Sequence, residues 1–213
     1  QNSVKKVLLI GIDGLRSDAL LKAKTPHIGS LVDEGAYSFE ALAGKHTVSY
    51  PGWSNIFTGV WENKHGVFAN PGEGIQIYAN FQKYPSFFTR AKEYLPELNT
   101  VSLVGWNTVN DFIVKSLNQN IYHSYQEKKE KADLCIADDA AAILAKGDPD
   151  LMFVYFLNVD HAGHNYGFSA DVPEYLEAIQ QTDTYIGQVI DAVRHRPRYN
   201  RENWLTMLIS DHG

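Results

Sequence analysis

The sequence predicts an α/β fold, a three-layer α/β/α sandwich with a mainly parallel sheet. Three observations predict it. Strand-length apolar runs alternate with helical patterns along the whole chain, three of those runs end in an aspartate (Val7 to Asp13, Leu151 to Asp160, Leu205 to Asp211), and no repeats or linker compositions interrupt them. In an open parallel sheet the carboxyl ends of the strands share one edge, so the three aspartates are expected to converge there. The loop His46 to Gly59, with Ser49 in it, is expected to meet them.

The 213 residues are 44% hydrophobic and 21% charged, which suits one globular domain over residues 1–213 and leaves no case for disorder. A formal net charge of -6 argues against a nucleic-acid polymer or an anionic membrane as partner, since either needs clustered Lys and Arg. No run reaches the roughly 20 apolar residues that span a bilayer. One cysteine, Cys135, excludes an internal disulfide and a thiolate zinc cluster, and reads as a small buried apolar residue on a helix. The chain starts at Gln1 and not at methionine, from which a secreted or periplasmic protein with a removed leader is expected.

In chain order, Val4 to Ile12 reads as a buried parallel strand closed by Gly11-Ile12-Asp13-Gly14. A dinucleotide fingerprint needs a second glycine where Asp13 stands, so a dinucleotide cofactor is rejected. The ordinary alternative for Asp13 is a helix cap. Thr25-Pro26-His27-Ile28 opens a helix that Gly35 closes. Ala36 to Ala43 is expected to be a short strand leading to the Ser49 loop. A helix is expected from Tyr50 to Thr58, with Ser49 just before it, where free amides and the helix dipole favour an anion. The aromatics Tyr78, Phe81, Tyr84, Phe87 and Phe88 read mainly as packing residues. Thr100 to Trp106 is a strand, Lys128 to Lys146 a helix, Leu151 to Val159 a continuous apolar strand, Pro173 to Arg194 an amphipathic helix and Leu205 to Ile209 the last strand.

The chemistry is expected at two pairs. Asp160 and His164 stand four residues apart, which on a helical turn brings a carboxylate and an imidazole to one face and suits a cation such as zinc. Asp211-His212 is a second such pair, and Asp13 ends a third strand. Together they point to a shared metal site.

Five segments in series resemble the alkaline phosphatase superfamily, and within it the type I phosphodiesterase and nucleotide pyrophosphatase branch. They are Gly11 to Gly14, Thr25 to Ile28, Thr47 to Asn70, Asp160 to His164 and Ser210 to Gly213. The resemblance implies two zinc ions, one held by Asp13, Asp211, His212 and Ser49, the other by Asp160 and His164. It implies Ser49 as the nucleophile of a phospho-Ser49 intermediate and Asn70 as a holder of a phosphoryl oxygen. The substrate implied is a small-molecule phosphate ester. A metal is one recognised way to turn a weakly nucleophilic hydroxyl into an alkoxide near neutral pH.

Three departures restrict the reading. The branch commonly has threonine where Ser49 stands, while alkaline phosphatases proper use serine, so a phosphomonoesterase is the first alternative. Sulfatases need an arginine where Trp53 stands, which disfavours them. The family's further downstream histidine for the second zinc has no match, so the chain is expected to be the N-terminal part of a longer domain with that site one ligand short. A non-catalytic module that binds metal and a phosphate ester is the remaining alternative. Trp106 and Asn107, and the loops Phe68 to Ser86 and Trp106 to Tyr125, are the places where specificity is expected.

Overall fold

In a computed structural model, which describes residues 3–72 and 79–213, five parallel strands form one sheet in the order β3-β2-β4-β1-β5. Tyr78 and the middle of the Phe68 to Ser86 loop lie outside the described residues. In chain order the elements are β1 (Val4–Ile12), α1 (Ser17–Lys22), α2 (Pro26–Glu34), α3 (Ser49–Thr58), α4 (Glu62–His65), α5 (Phe87–Tyr94), β2 (Thr100–Val104), β3 (Gln119–Tyr122), α6 (Tyr125–Lys128), α7 (Ala132–Lys146), β4 (Leu151–Phe156), α8 (Asn158–Tyr166), α9 (Pro173–Arg194) and β5 (Glu202–Ile209). A single wide π-helical turn, Val109–Ile113, follows β2.

The central strands are buried on both faces because helices cover both sides, which is why they read as continuous apolar runs. Alternation along β1 and β4 separates two cores. Leu8, Ile10, Ile12, Met152, Val154 and Phe156 pack with α7 and α9, while Leu9, Phe153 and Tyr155 pack with Trp53, Phe57 and Phe88 from α3 and α5. Each fully buried side chain of this size contributes roughly 1.5–3 kcal/mol. The two cores fix the sheet between helices, so the loops at its carboxyl edge start from a rigid base.

Pro173 opens α9 at its first turn, and Tyr175, Ile179, Thr182, Ile186, Val189 and Ile190 form its buried stripe, as the helical spacing predicts. Four expectations need correction. Ala36 to Ala43 is not a strand, and most of it is exposed. The strand from Leu151 stops at Phe156, because the backbone turns at Leu157 into α8. The second strand ends at Val104 and not at Trp106. The helix expected from Lys128 divides: α6 ends at Lys128, a tight turn covers Lys129–Lys131, and α7 starts at Ala132. β3 has no apolar alternation to announce it, being mostly exposed.

At the other margin β5 pairs with β1 from Val4↔Glu202 to Gly11↔Ile209. Its outer face carries Leu205, Met207 and Ile209 partly exposed. The amino ends of the strands are tied by an ionic cluster in which Lys6, Arg196 and Glu202 are buried and Asp148 reaches solvent. Arg196 binds Glu202 at 2.7 Å and Asp148 at 3.1 Å, and Lys6 binds Asp148 at 2.6 Å and Asp150 at 2.8 Å.

Candidate active site

The carboxyl ends of β1, β4 and β5 deliver Asp13, the α8 turn with Asp160, and Asp211-His212 to one place. Asp13 Oδ1 lies 3.2 Å from Ser49 Oγ and 3.1 Å from His212 Nε2. His212 Nε2 is also 3.2 Å from Ser49 Oγ, 3.6 Å from Asp211 Oδ2 and 3.8 Å from Asp160 Oδ1. His164, one helical turn after Asp160, brings its Nε2 to 3.5 Å from Asp160 Oδ1 and is largely exposed. The structure therefore gathers Asp13, Ser49, Asp160, Asp211 and His212, with His164 at the rim.

Ser49 is the first residue of α3, not the residue before it, and Val48 is the cap. The helix start is less open to an anion than the sequence suggests. Tyr50 N–H donates to Asn70 Oδ1 at 2.9 Å, and Pro51 has no N–H. Asn70 thus spends its carbonyl on the helix, which leaves its NH2 group as the donor.

Local structure holds these groups in place. Gly14 adopts φ +66°, and a Cβ there would stand 2.9 Å from Asp160 Oδ1. Its N–H donates to Asp211 Oδ1 at 3.2 Å, joining the turns after β1 and β5. Ser210 Oγ joins them again, accepting from Leu15 N–H at 3.0 Å and donating to His212 O at 2.6 Å. Tyr175 of α9 donates to Gly14 O and accepts from Arg16 N–H at 3.1 Å. Buried His65 accepts from Val67 N–H at 3.1 Å through Nδ1, so its Nε2 carries the proton and donates to Asn55 Oδ1 at 2.8 Å. Burial pushes its pKa down, which keeps it neutral in the turn that leads to Asn70.

The electrostatics favour a cation. Burial, followed by the charge of Asp13, raises Asp160 to about 7 and raises Asp211 well above the ordinary carboxylate value. Burial opposes the charge on His212, but its hydrogen bond to Asp13 and the charges of Asp13 and Asp160 outweigh this and raise it. Asp160 Oδ1 and Asp211 Oδ2 are buried and have no hydrogen-bond partner. A buried carboxylate oxygen without a partner is costly, and a divalent cation satisfies it. Asp13, Asp211 and His212 each offer a ligand atom, all within 4.8 Å of one another. Two carboxylates, an imidazole and a hydroxyl suit zinc, so the residues present fit the group.

A family model for type I phosphodiesterase / nucleotide pyrophosphatase matches residues 7–213. The chain belongs to this family. Among its phosphodiesterase relatives are an uncharacterized pyrophosphatase/phosphodiesterase of Schizosaccharomyces pombe, 26% identical over 220 residues, and human ectonucleotide pyrophosphatase/phosphodiesterase family member 7, 25% identical over 230 residues. The first alignment covers 97% of this chain and 44% of the relative, and the second 100% and 48%. The chain therefore spans about half the length of the curated relatives it matches. Among solved structures, murine ectonucleotide pyrophosphatase/phosphodiesterase 5, an inactive variant in complex with AMP, superposes with TM-score 0.72 at 24% identity. That match covers 98% of this chain and 57% of the murine one, and it shows the same alkaline phosphatase-like fold.

In this phosphodiesterase-family chain, sequence reasoning missed the part that three residues play in shaping the site. Trp53 Nε1 donates to Asp13 Oδ2 at 3.2 Å, and the Tyr155 hydroxyl donates to the same oxygen. Asp133 caps α8, accepting from Leu157 N–H at 3.0 Å and Asn158 N–H at 2.9 Å. A signal existed for two of them: Tyr155 is the one hydroxyl in the apolar run of β4, and Asp133 sits on the buried alanine face of α7. Asn107 is exposed and donates to Asp111, and Trp106 packs on the aromatic core. Among the described residues no helix is long and apolar enough to cross a membrane.

Proposed function

We propose that this chain carries the nucleophile of a zinc-dependent phosphodiesterase or nucleotide pyrophosphatase, with Ser49 attacking phosphorus. The observation that supports this best is the convergence of Ser49 Oγ, Asp13 Oδ1 and His212 Nε2 within 3.2 Å, beside two buried carboxylate oxygens that accept no hydrogen bond. Asp13, Asp211, His212 and Ser49 would hold one zinc, and Asp160 with His164 would contribute to a second. Divalent cations in such sites lower the pKa of the attacking hydroxyl and neutralise charge on the phosphoryl group.

The residues of the chain do the rest. Burial and the first turn of α3 fix the direction of Ser49 Oγ. Its hydroxyl gives up its proton to solvent and the oxygen bonds to phosphorus as the ester oxygen departs and takes up a proton; water then attacks the phosphoserine, returning the Ser49 hydroxyl and releasing the phosphate. The Asn70 NH2 donates to a phosphoryl oxygen and orients it, because the Asn70 carbonyl is anchored on Tyr50. The ligand would be a small-molecule phosphate ester, as AMP is for the murine neighbour. A secreted or periplasmic location is proposed with it.

The test is hydrolysis of a chromogenic phosphodiester, monoester and sulfate ester, with zinc added and with a chelator. Diester turnover that is lost in Ser49→Ala and on chelation supports the reading. Because serine replaces the usual threonine, the monoester arm is decisive: preference for the monoester by orders of magnitude makes the protein a phosphomonoesterase. Zinc binding without turnover on any arm makes it a binding module.

A further inference from the structure

We infer that Trp53 and Tyr155 are positioning residues that confine Asp13 to a single outward-facing oxygen, making it a one-oxygen metal ligand. The inference rests on the metal-dependent reading of the site and assigns work to two residues outside its ligand set. Asp13, Trp53 and Tyr155 are all fully buried. The Asp13 carboxylate is divided between two environments: Oδ2 accepts from both Trp53 Nε1 and the Tyr155 hydroxyl, and Oδ1 faces Ser49 and His212. A carboxylate oxygen has two lone pairs, so two donors saturate Oδ2 and remove it from competition for a cation.

The donors themselves are fixed. Tyr155 stands on β4 opposite Gly11 of β1, two residues before Asp13. Trp53 packs edge-on against Phe153 and Tyr155, with ring centroids 5.5 and 5.2 Å apart, and fills the space over Gly11, where a Cβ would meet the indole at 2.4 Å. Neither ring can follow a rotating carboxylate. Rotation of Asp13 toward a two-oxygen grip would break both hydrogen bonds and leave two buried donors without partners, which is costly in a site closed to water. Held this way, Asp13 presents Oδ1 on the same side as Ser49 Oγ.

The test compares wild type with Tyr155→Phe, Trp53→Phe and the double variant. Zinc affinity is read by calorimetry, and coordination by the visible spectrum with cobalt(II) in place of zinc. Tyr155→Phe removes one oxygen and keeps the ring, so it separates positioning from packing. Each single variant is expected to lose about tenfold in zinc affinity, and the double variant more, as is typical when a partner that orients a ligand is removed. The cobalt band should weaken in the double variant as Asp13 adds its second oxygen and the coordination number rises. A folded double variant with zinc affinity within about twofold of wild type and an unchanged cobalt spectrum overturns the inference alone. A wild-type chain that binds no zinc overturns the metal-dependent reading and this inference with it.

Discussion

The carboxylate of Asp133 on α7 receives the N–H of Asn158 at 2.9 Å, so the helix that carries Asp160 and His164 begins on a side chain from another helix. Burial, only partly offset by the hydrogen bonds from Leu157 and Asn158, raises Asp133 from 3.8 to about 7. A folded value above the unfolded one means that the native state binds the extra proton. The resulting stabilisation is complete below about pH 4 and is lost as pH rises to about 7. Asp133→Asn lacks this term. The stability advantage of wild type over the variant is therefore expected to shrink by up to ~4 kcal/mol across that window, as read by denaturant melts at a series of pH values. A pH-independent difference would refute the assignment.

Gly14→Ala is expected to disable the site from a distance of one side chain. The left-handed backbone there costs an L-residue roughly 1–2 kcal/mol, and the new methyl meets Asp160 Oδ1 at 2.9 Å. The expected outcome is a lower melting temperature together with weaker zinc binding. A variant that loses stability but keeps full zinc affinity would show that the Gly14–Asp160 contact is not critical.

In the proposed mechanism Asn70 has two separable roles. Asn70→Ala removes both the anchor for Tyr50 N–H and the NH2 donor, and should lower kcat/KM by about 10²–10³. Asn70→Asp keeps an acceptor for Tyr50 but turns an oxygen toward an anionic substrate, so it should retain more stability than the alanine variant and no more activity. Wild-type turnover in Asn70→Asp would rule out the NH2 as a substrate contact.

At the opposite edge of the sheet, Arg196→Met should cost about 3–5 kcal/mol, because it leaves Glu202 buried without its partner. Zinc affinity of the folded variant should be unchanged, since Arg196 holds the amino ends of the strands and the site lies at their carboxyl ends. Thermal melts and calorimetry on the same preparation check both halves.

The strands that carry the site were legible because each is an apolar run followed by a carboxylate, at the strand end for Asp13 and Asp211 and in the next helical turn for Asp160. Buried parallel strands need no alternation, and an aspartate among such residues stands out. Ala36 to Ala43 misled because its composition fits a strand, while among the described residues no strand pairs with it. The carboxylate supports were harder to see. Trp53 and Tyr155 meet Asp13 only when α3 and β4 are placed against β1, and no spacing along the chain encodes that meeting. Asp133 was readable in principle, as an acidic residue on an inward helix face has to be satisfied by something. The pairing of Tyr50 with Asn70, twenty residues apart, depends on a turn whose path follows from buried His65 and not from any periodicity.

Gly14 and Asp211 touch although they lie 197 positions apart. The site thus closes the stretch from β1 to β5 into a ring, with those two strands as its ends. A cation gripped from both ends would act as a clasp on that ring, favouring the compact form by as much as it prefers the closed site over the open chain. The same geometry ties the site to the sheet: His212 stands beside Ser49 only because β5 pairs with β1.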